Sequence, residues 1–397
     1  MMRSSMIAVA ISTVMAGSAA AQGAPFRIGV IDDLSGMYSG NGGPNTVLAT
    51  TMAVEDFGGK VLGRAIEVIS ADHQNKPDIG SALARQFVDQ RGVSAIVNGG
   101  ASSVGLAIQS YTRDRKITTL ISGGYAANFS GEGCSPYGTQ WAPSTGELAN
   151  AVAASIVQSG GKKWYFITAD YVFGHGLAAD ASKAVQAAGG SVVGETRHPL
   201  GTADMSSPLL RAQSSGADVI GLANAGPDLV NAIKQAREFG VTSKVVAMLV
   251  FTNNVVSLGL DATQGIRMAV NFYWDMNDET RAWTQRFMAR NGNVVPTMGH
   301  ALAYISTSHY LRAVQAAGSD DPAIVARTMR SLPIAGNMLK NPRIQANGRV
   351  VMDMLLVEVK TPKESKSPAD LYRIIDTIPG EKLFTPAEKS GCSMKEG

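Results

Sequence analysis

The sequence predicts an α/β fold of two Rossmann-like lobes, each a parallel sheet with helices on both faces. Three observations carry that prediction. Apolar runs alternate with helix-period segments in units of about 25–35 residues, the span of a strand and its returning helix. An aperiodic stretch, Ser130 to Pro143, interrupts the alternation before a fresh set of units begins. And 397 residues exceed what a single hydrophobic core usually serves.

The first unit sets the pattern. Phe26 to Ile31 is a largely apolar run with the single charge of Arg27, as a mostly buried strand presents. Asp32 to Asn45 is rich in glycine and small polar residues. Val47, Leu48, Met52, Val54 and Phe57 then recur at helical spacing. After Gly58-Gly59, strands are expected at Ile66 to Ser70, Ser94 to Val97 and Lys116 to Ile121. Helices are expected between them over 77–90, with Pro77 in the first turn, and at Val104 to Thr112.

Beyond the break near 141 come helices over 144–158, 174–187, 206–215 and 227–238. Strands at Trp164 to Thr168, Ser191 to Gly194, Asp218 to Gly221 and Lys244 to Val250 alternate with them. A strand-like run, Gly265 to Phe272, leads through the junction Phe272-Tyr273-Trp274-Asp275 to helices over 280–290, 298–317 and 322–330. Residues 348–359 read as a strand or hairpin, and Tyr372 to Asp376 as a last strand. The chain is therefore expected to cross between lobes near 141, 272 and 350. That makes an N-terminal lobe of 25–141 plus 275–350 and a C-terminal lobe of 142–274 plus 351–385.

Residues 1–21 combine Arg3, an apolar core from Met6 to Met15, and Ala19 and Ala21 in an A-x-A arrangement. This is the pattern of a secretory signal peptide cut after Ala21, and it predicts a periplasmic chain. No later run of 18 apolar residues occurs, so no membrane-spanning helix is expected. An oxidising compartment favours one disulfide between Cys134 and Cys392 over two free thiols, tying a tail, 386–397, to the loop near 134. With 35 Lys and Arg against 32 Asp and Glu and no basic block, nucleic-acid binding has little electrostatic support.

Enzyme signatures are missing. There is no G-x-S-x-G, no His-Glu-x-x-His and no Walker A sequence, and the histidines are mostly far apart. The run G-M-Y-S-G-N-G-G from Gly36 to Gly43 does not fit the dinucleotide spacing G-x-G-x-x-G. Neither catalysis, a cofactor nor a metal is expected. Open α/β sheets instead hold ligands just beyond strand C-termini. The loops there are Tyr38 to Gly43, Asn98 to Ser103, Ser122 to Ala126, Asp170 to Gly174, Asn224 to Pro227 and Phe251 to Asn253. Their small residues leave N–H groups bare for an anionic oxygen, and their aromatics can close over a flat or apolar body. Ser102 or Ser103 could equally be a plain helix N-cap, and Phe173 and Phe251 lobe core. Tyr273 or Trp274 could line a cleft or fill an interdomain core.

IGVIDDLSGMYSGNG (28–42), MAVEDFGGKVLGRAIEV (52–68), DYVFGHG (170–176), IKQAREFG (233–240) and FYWDMNDETRAW (272–283) occur in a recognisable order. Together they resemble type I periplasmic solute-binding proteins of the branched-chain amino acid-binding group, over nearly the whole mature chain. The resemblance implies a Venus-flytrap of two lobes and three crossovers that encloses a solute unchanged. It also implies a monomer whose closed form docks on the inner-membrane permease of an ATP-driven importer.

In that family a loop serine and a later small-residue loop hold an α-carboxylate. Ser102 or Ser103 and Gly123 to Ala126 match those places, with Tyr125 where a small residue followed by threonine is usual. Phe173 matches the second-lobe aromatic. The acid that takes an α-ammonium belongs near Leu249 to Phe251, where this sequence has none, and neither Asp228 nor Asp275 aligns as a substitute. An unpaired ammonium in a closed cleft costs several kcal/mol, which favours a carboxylate without an amine. The resemblance thus points to an aromatic acid of the benzoate or hydroxycinnamate type. Amino acids, amides and a ligand sensor for a receptor are the alternatives. The expected ligand-binding set is Tyr38, Ser102, Ser103, Gly123, Tyr125, Phe173, Asn224, Phe251, Tyr273 and Trp274.

Overall fold

The computed structural model describes residues 24–394, so the expected signal peptide at 1–21 lies outside the described residues. The chain opens with β1 (Phe26–Asp32), α1 (Pro44–Asp56), β2 (Lys60–Val61), β3 (Arg64–Asp72) and α2 (Pro77–Asp89). It continues with β4 (Val93–Asn98), α3 (Ser102–Asp114), β5 (Thr118–Ile121) and β6 (Gly138–Gln140). These strands form one sheet in the order β2-β3-β1-β4-β5-β6. β1 pairs in parallel with β3 on one side and β4 on the other. The strand order therefore reverses beside β1, and the crevice opens beyond Asp32 and Asn98.

The second lobe repeats the arrangement. It is built from α4 (Thr145–Gln158), β7 (Lys163–Ala169), α5 (Val172–Ala187), β8 (Ser191–His198), α6 (Ser206–Ser214) and β9 (Val219–Ala223). α7 (Gly226–Glu238), β10 (Lys244–Ala247), α8 (Thr252–Leu258), α9 (Leu260–Thr263) and β11 (Arg267–Val270) follow. Its parallel sheet runs β10-β9-β7-β8, so β7 lies between β9 and β8 and the switch point faces out past Ala169 and Ala223.

α10 (Asp278–Met288), α11 (Met298–Ala317) and α12 (Pro322–Ser331) come next. α10 and α11 return to the first sheet. Arg286 and Arg290 of α10 pair with Asp56 and Glu55 of α1, and the Tyr310 hydroxyl of α11 donates to the Ser94 carbonyl (3.3 Å). β12 (Lys340–Ile344), β13 (Val350–Val359) and β14 (Tyr372–Ile378) complete the chain's strands. β13 pairs antiparallel with β11, β12 and β14.

Two links join segments far apart in the chain. Glu147, the third residue of α4, forms a buried ion pair with Arg349, 202 positions further along the chain. Cys134 and Cys392 are disulfide-bonded across 258 residues, as the sequence leads one to expect.

Several elements depart from the sequence reading. β6 lies inside the aperiodic stretch because Gly138-Thr139-Gln140 has no apolar alternation. Neighbours hold it instead: the Gln140 N–H donates to the Gly348 carbonyl, and its side-chain amide donates to the Gly124 and Ala126 carbonyls. β10 stops at Ala247 rather than Val250, and Thr252, read as loop, opens α8. The strand or hairpin read at 348–359 is the long strand β13, with the unforeseen β12 at its side.

Candidate functional site

The two switch points face one another across a small cavity of about 30 Å³. From the first lobe it is lined by Tyr38, Asn41, Gly42, Thr46, Gly99, Gly100, Ser102, Ser122, Gly123 and Tyr125. Tyr171, Phe173, Ala225, Leu249 and Phe251 line it from the second lobe, and Gly299 from the start of α11.

Aromatic rings from both lobes make one wall. The Tyr125 ring meets Phe173 edge-on at 6.4 Å and Phe251 edge-on at 5.6 Å, while Tyr171 lies 5.8 Å from Phe173. Hydrogen bonds also cross the cleft. The Tyr38 hydroxyl donates to the Tyr171 hydroxyl (3.1 Å), the Asn253 amide to Asn41 Oδ1 (3.1 Å) and the Thr252 hydroxyl to the Pro296 carbonyl (3.1 Å). The lobes are closed on the cavity.

The polar end is built by α3 and the loop after β5. The N-cap of α3 is Ala101, so Ser102 is not a plain cap. Its Oγ accepts the N–H groups of Tyr125 and Ala126 (3.1 Å each), which fixes the Gly123–Ala126 loop against the helix start. Ser102 lines the cavity, and the first N–H groups of a helix have no partner within it. The Tyr125 hydroxyl is buried without a hydrogen-bond partner among the described residues. Burial, with Asp32 nearby, raises its pKa, so it stays a neutral donor.

Two carboxyls stand just behind the walls. Asp32, at the end of β1, is fully buried under Gly99 and Gly100. A β-carbon on Gly99 would come within 2.1 Å of Asp32 Oδ2, so the backbone needs glycine there to pass over the carboxyl. Asp32 accepts the N–H groups of Asp33 (2.7 Å) and Gly43 (3.1 Å). Burial, helped by the charge of Asp33, nevertheless pushes its pKa up to about 7. On the opposite side Asp228, in the first turn of α7, accepts the Gly201 N–H (3.1 Å), and burial raises its pKa too. Its Oδ1 has no partner among the described residues.

Of the ten residues expected at the site, Tyr38, Ser102, Gly123, Tyr125, Phe173 and Phe251 line the cavity. The other four do not. Ser103 is the second residue of α3 and lies outside the lining. Asn224 is fully buried behind the wall, its amide 3.2 Å from His198 Nε2. Tyr273 packs on Tyr372 (5.1 Å between ring centres), and Trp274 Nε1 donates to the Ala369 carbonyl (2.7 Å). Both rings therefore pack against the segment Ala369 to Tyr372 at the start of β14 rather than against the cavity. Asp275 likewise pairs with Arg281 (2.7 Å) away from the cavity.

Asn41, Thr46, Tyr171 and Leu249 are wall residues that the sequence reading did not select, although Asn41 and Tyr171 lie in loops it marked. Among the described residues, no group of three His, Cys, Asp or Glu side chains could hold a metal ion. No helix among them is long and apolar enough to cross a membrane.

A closed cleft between two facing switch points, with rings over a helix start, defines a protein that encloses a small solute. Residues 25–366 match the family model described as periplasmic binding protein, and the chain belongs to that family. Among solved structures, a periplasmic binding protein from Burkholderia mallei is 42% identical, with a TM-score of 0.91 over 93% of this chain and 98% of that one. A branched chain amino acid ABC transporter periplasmic ligand-binding protein from Burkholderia xenovorans LB400 is 35% identical, with a TM-score of 0.83 over 93% and 99% of the two chains.

An R. palustris solute binding protein in complex with benzoate shares the fold at 19% identity, with a TM-score of 0.82 over 94% and 100% of the two chains. The Leu/Ile/Val-binding protein homolog 6 of Brucella melitensis is 27% identical over 228 residues, 56% of this chain and 57% of that protein. These relatives are binding proteins, not enzymes.

Proposed function

We propose that the chain is the periplasmic capture component of an ATP-driven importer, and that it carries a small organic acid with an aromatic body to an inner-membrane permease. One observation carries the ligand class. Tyr38, Tyr125, Tyr171, Phe173 and Phe251 surround a space whose polar end is a helix start with bare donors, and whose lining has no charged side chain. Rings favour a flat apolar body, and donors without a counter-charge favour one anionic group. The benzoate complex of the R. palustris neighbour supports the reading, because the same fold accommodates such an acid there. Export through a signal peptide at 1–21 and action as a monomer belong to the same proposal.

A second reading is an amino acid. It is favoured by the buried carboxyls of Asp32 and Asp228 beside the walls and by the description of the Burkholderia xenovorans relative. Thermal-shift and calorimetric titration of unfolded, washed and refolded protein decides between the two. Benzoate, 4-hydroxybenzoate or a hydroxycinnamate should raise the transition saturably, since a ligand held only by the native state stabilises it. A saturable response to leucine, isoleucine or valine with none to aromatic acids would overturn the aromatic reading.

A further inference from the structure

The carboxyl of Asp32 has no place in a simple anion site. It lies beneath Gly99 and Gly100 of the cavity lining, and Thr46, also in the lining, hydrogen-bonds to it. A β-carbon on Gly42, Gly99 or Gly100 would stand 2.6, 2.1 or 2.9 Å from one of its oxygens. Those three glycines line the cavity, Gly42 just before α1 and Gly99 and Gly100 just before α3, where the ligand's anionic group would rest.

The groups packed around Asp32 give it no cation. Asp33 beside it is a second buried carboxyl, accepting the N–H groups of Gly36 (2.8 Å) and Tyr38 (2.9 Å). Asp72, its partner in register on β3, accepts the Leu34 N–H (3.0 Å) and the Gln74 N–H (2.8 Å). His73 has its pKa lowered by burial and is neutral. His300, whose ring N–H donates to the Gly42 carbonyl (3.0 Å), is lowered by burial to about 4. Tyr125 is held neutral, and Thr46 contributes only a hydroxyl. An ionised Asp32 would therefore face the incoming anion with no cation beside it, screened only by the N–H groups of Asp33 and Gly43 and the Thr46 hydroxyl. At a separation of about 5 Å and an effective dielectric of about 20, that repulsion lowers affinity by roughly a hundredfold.

We propose that Asp32 is the specificity-determining group of this cleft, and that it carries a proton whenever an organic anion is bound, so that the anion and one proton enter together. The proton comes from bulk solvent and rests on the Asp32 carboxyl, and no bond of the ligand changes. The inference rests on the reading of the cleft as an anion site, though not on the anion being aromatic. Its consequence is a binding protein that captures acids better as the medium becomes more acidic. Above the point where free Asp32 ionises, near pH 7, affinity falls with pH, and below it affinity is flat.

Calorimetry in two buffers of different ionisation enthalpy counts the protons, with benzoate and 3-methylbutanoate as probes at pH 6 and pH 8. The expected result is about 0.9 proton taken up per anion at pH 8, about 0.1 at pH 6, and Kd rising about tenfold per unit above pH 7. Asp32→Asn, which mimics the protonated carboxyl, should lose the proton uptake and the pH slope and bind at pH 8 at least about tenfold tighter than wild type. If that variant does not fold, the wild-type proton count decides alone.

Uptake near zero at both pH values, or a pH slope retained in Asp32→Asn, overturns the proposal. Proton release on binding an amino acid overturns it too and makes Asp32 an ammonium partner. Uptake with 3-methylbutanoate but no binding of benzoate supports the proposal while overturning the aromatic reading. Failure of both acids to bind at either pH overturns both.

Discussion

Phe173→Ala separates a cleft wall from a lobe core. The Phe173 ring is 2% exposed and is shared between Tyr125 at 6.4 Å, Tyr171 at 5.8 Å and the cavity itself. An aromatic side chain buries about 150–250 Å² in all. If roughly a third of that faces the ligand, about 50–80 Å² at about 25 cal/mol per Å² gives about 1–2 kcal/mol of lost contact. Kd for an aromatic acid should then rise about 5- to 30-fold.

The remaining ring area supports the protein, and its loss should cost about 3 kcal/mol of stability or more. The assay is paired: calorimetric Kd for benzoate, and the denaturation midpoint of ligand-free protein. Both should change. An unchanged Kd with a lowered midpoint would show that the ring is core only and would remove the aromatic wall from the account.

Three further outcomes follow from the same geometry. Tyr38→Phe removes the hydroxyl that reaches Tyr171 across the cleft, so Kd should rise about 2- to 10-fold in calorimetry while the melting temperature moves little. Cys134→Ser opens a bond that closes 258 residues, and calorimetric unfolding should show a loss of about 2–5 kcal/mol. His300 and His309 are each lowered by burial to about 4, so the unfolded chain binds protons that the folded chain refuses. Their stabilisation is present above pH 6.5 and lost as pH falls toward 4. The melting temperature should drop across that window, and His309→Gln should make the drop shallower.

Much of the fold is legible because a parallel strand covered on both faces must be a largely apolar run. Phe26 to Ile31 and Trp164 to Thr168 announce themselves for that reason. Strand order is not legible, since nothing in either run records that β1 lies between β3 and β4. β6 is invisible because it is held by polar bonds of Gln140 to distant carbonyls rather than by an apolar pattern in its own sequence.

The site divides along the same line. Tyr38, Tyr125, Phe173 and Phe251 follow strand ends, where loop composition marks them. Tyr273 and Trp274 misled because proximity to a crossover says nothing about which side of it a ring takes. Asp32 escaped notice because its significance depends on Gly99 and Gly100, some 70 residues away, leaving room above it.

The central claim is that two lobes close around a solute, and small-angle X-ray scattering of ligand-stripped protein titrated with benzoate tests it most directly. The radius of gyration should shrink saturably as Tyr38 meets Tyr171 and Asn41 meets Asn253, reaching the value of the closed form. Saturating benzoate that binds by calorimetry yet leaves the radius unchanged would contradict enclosure by lobe closure.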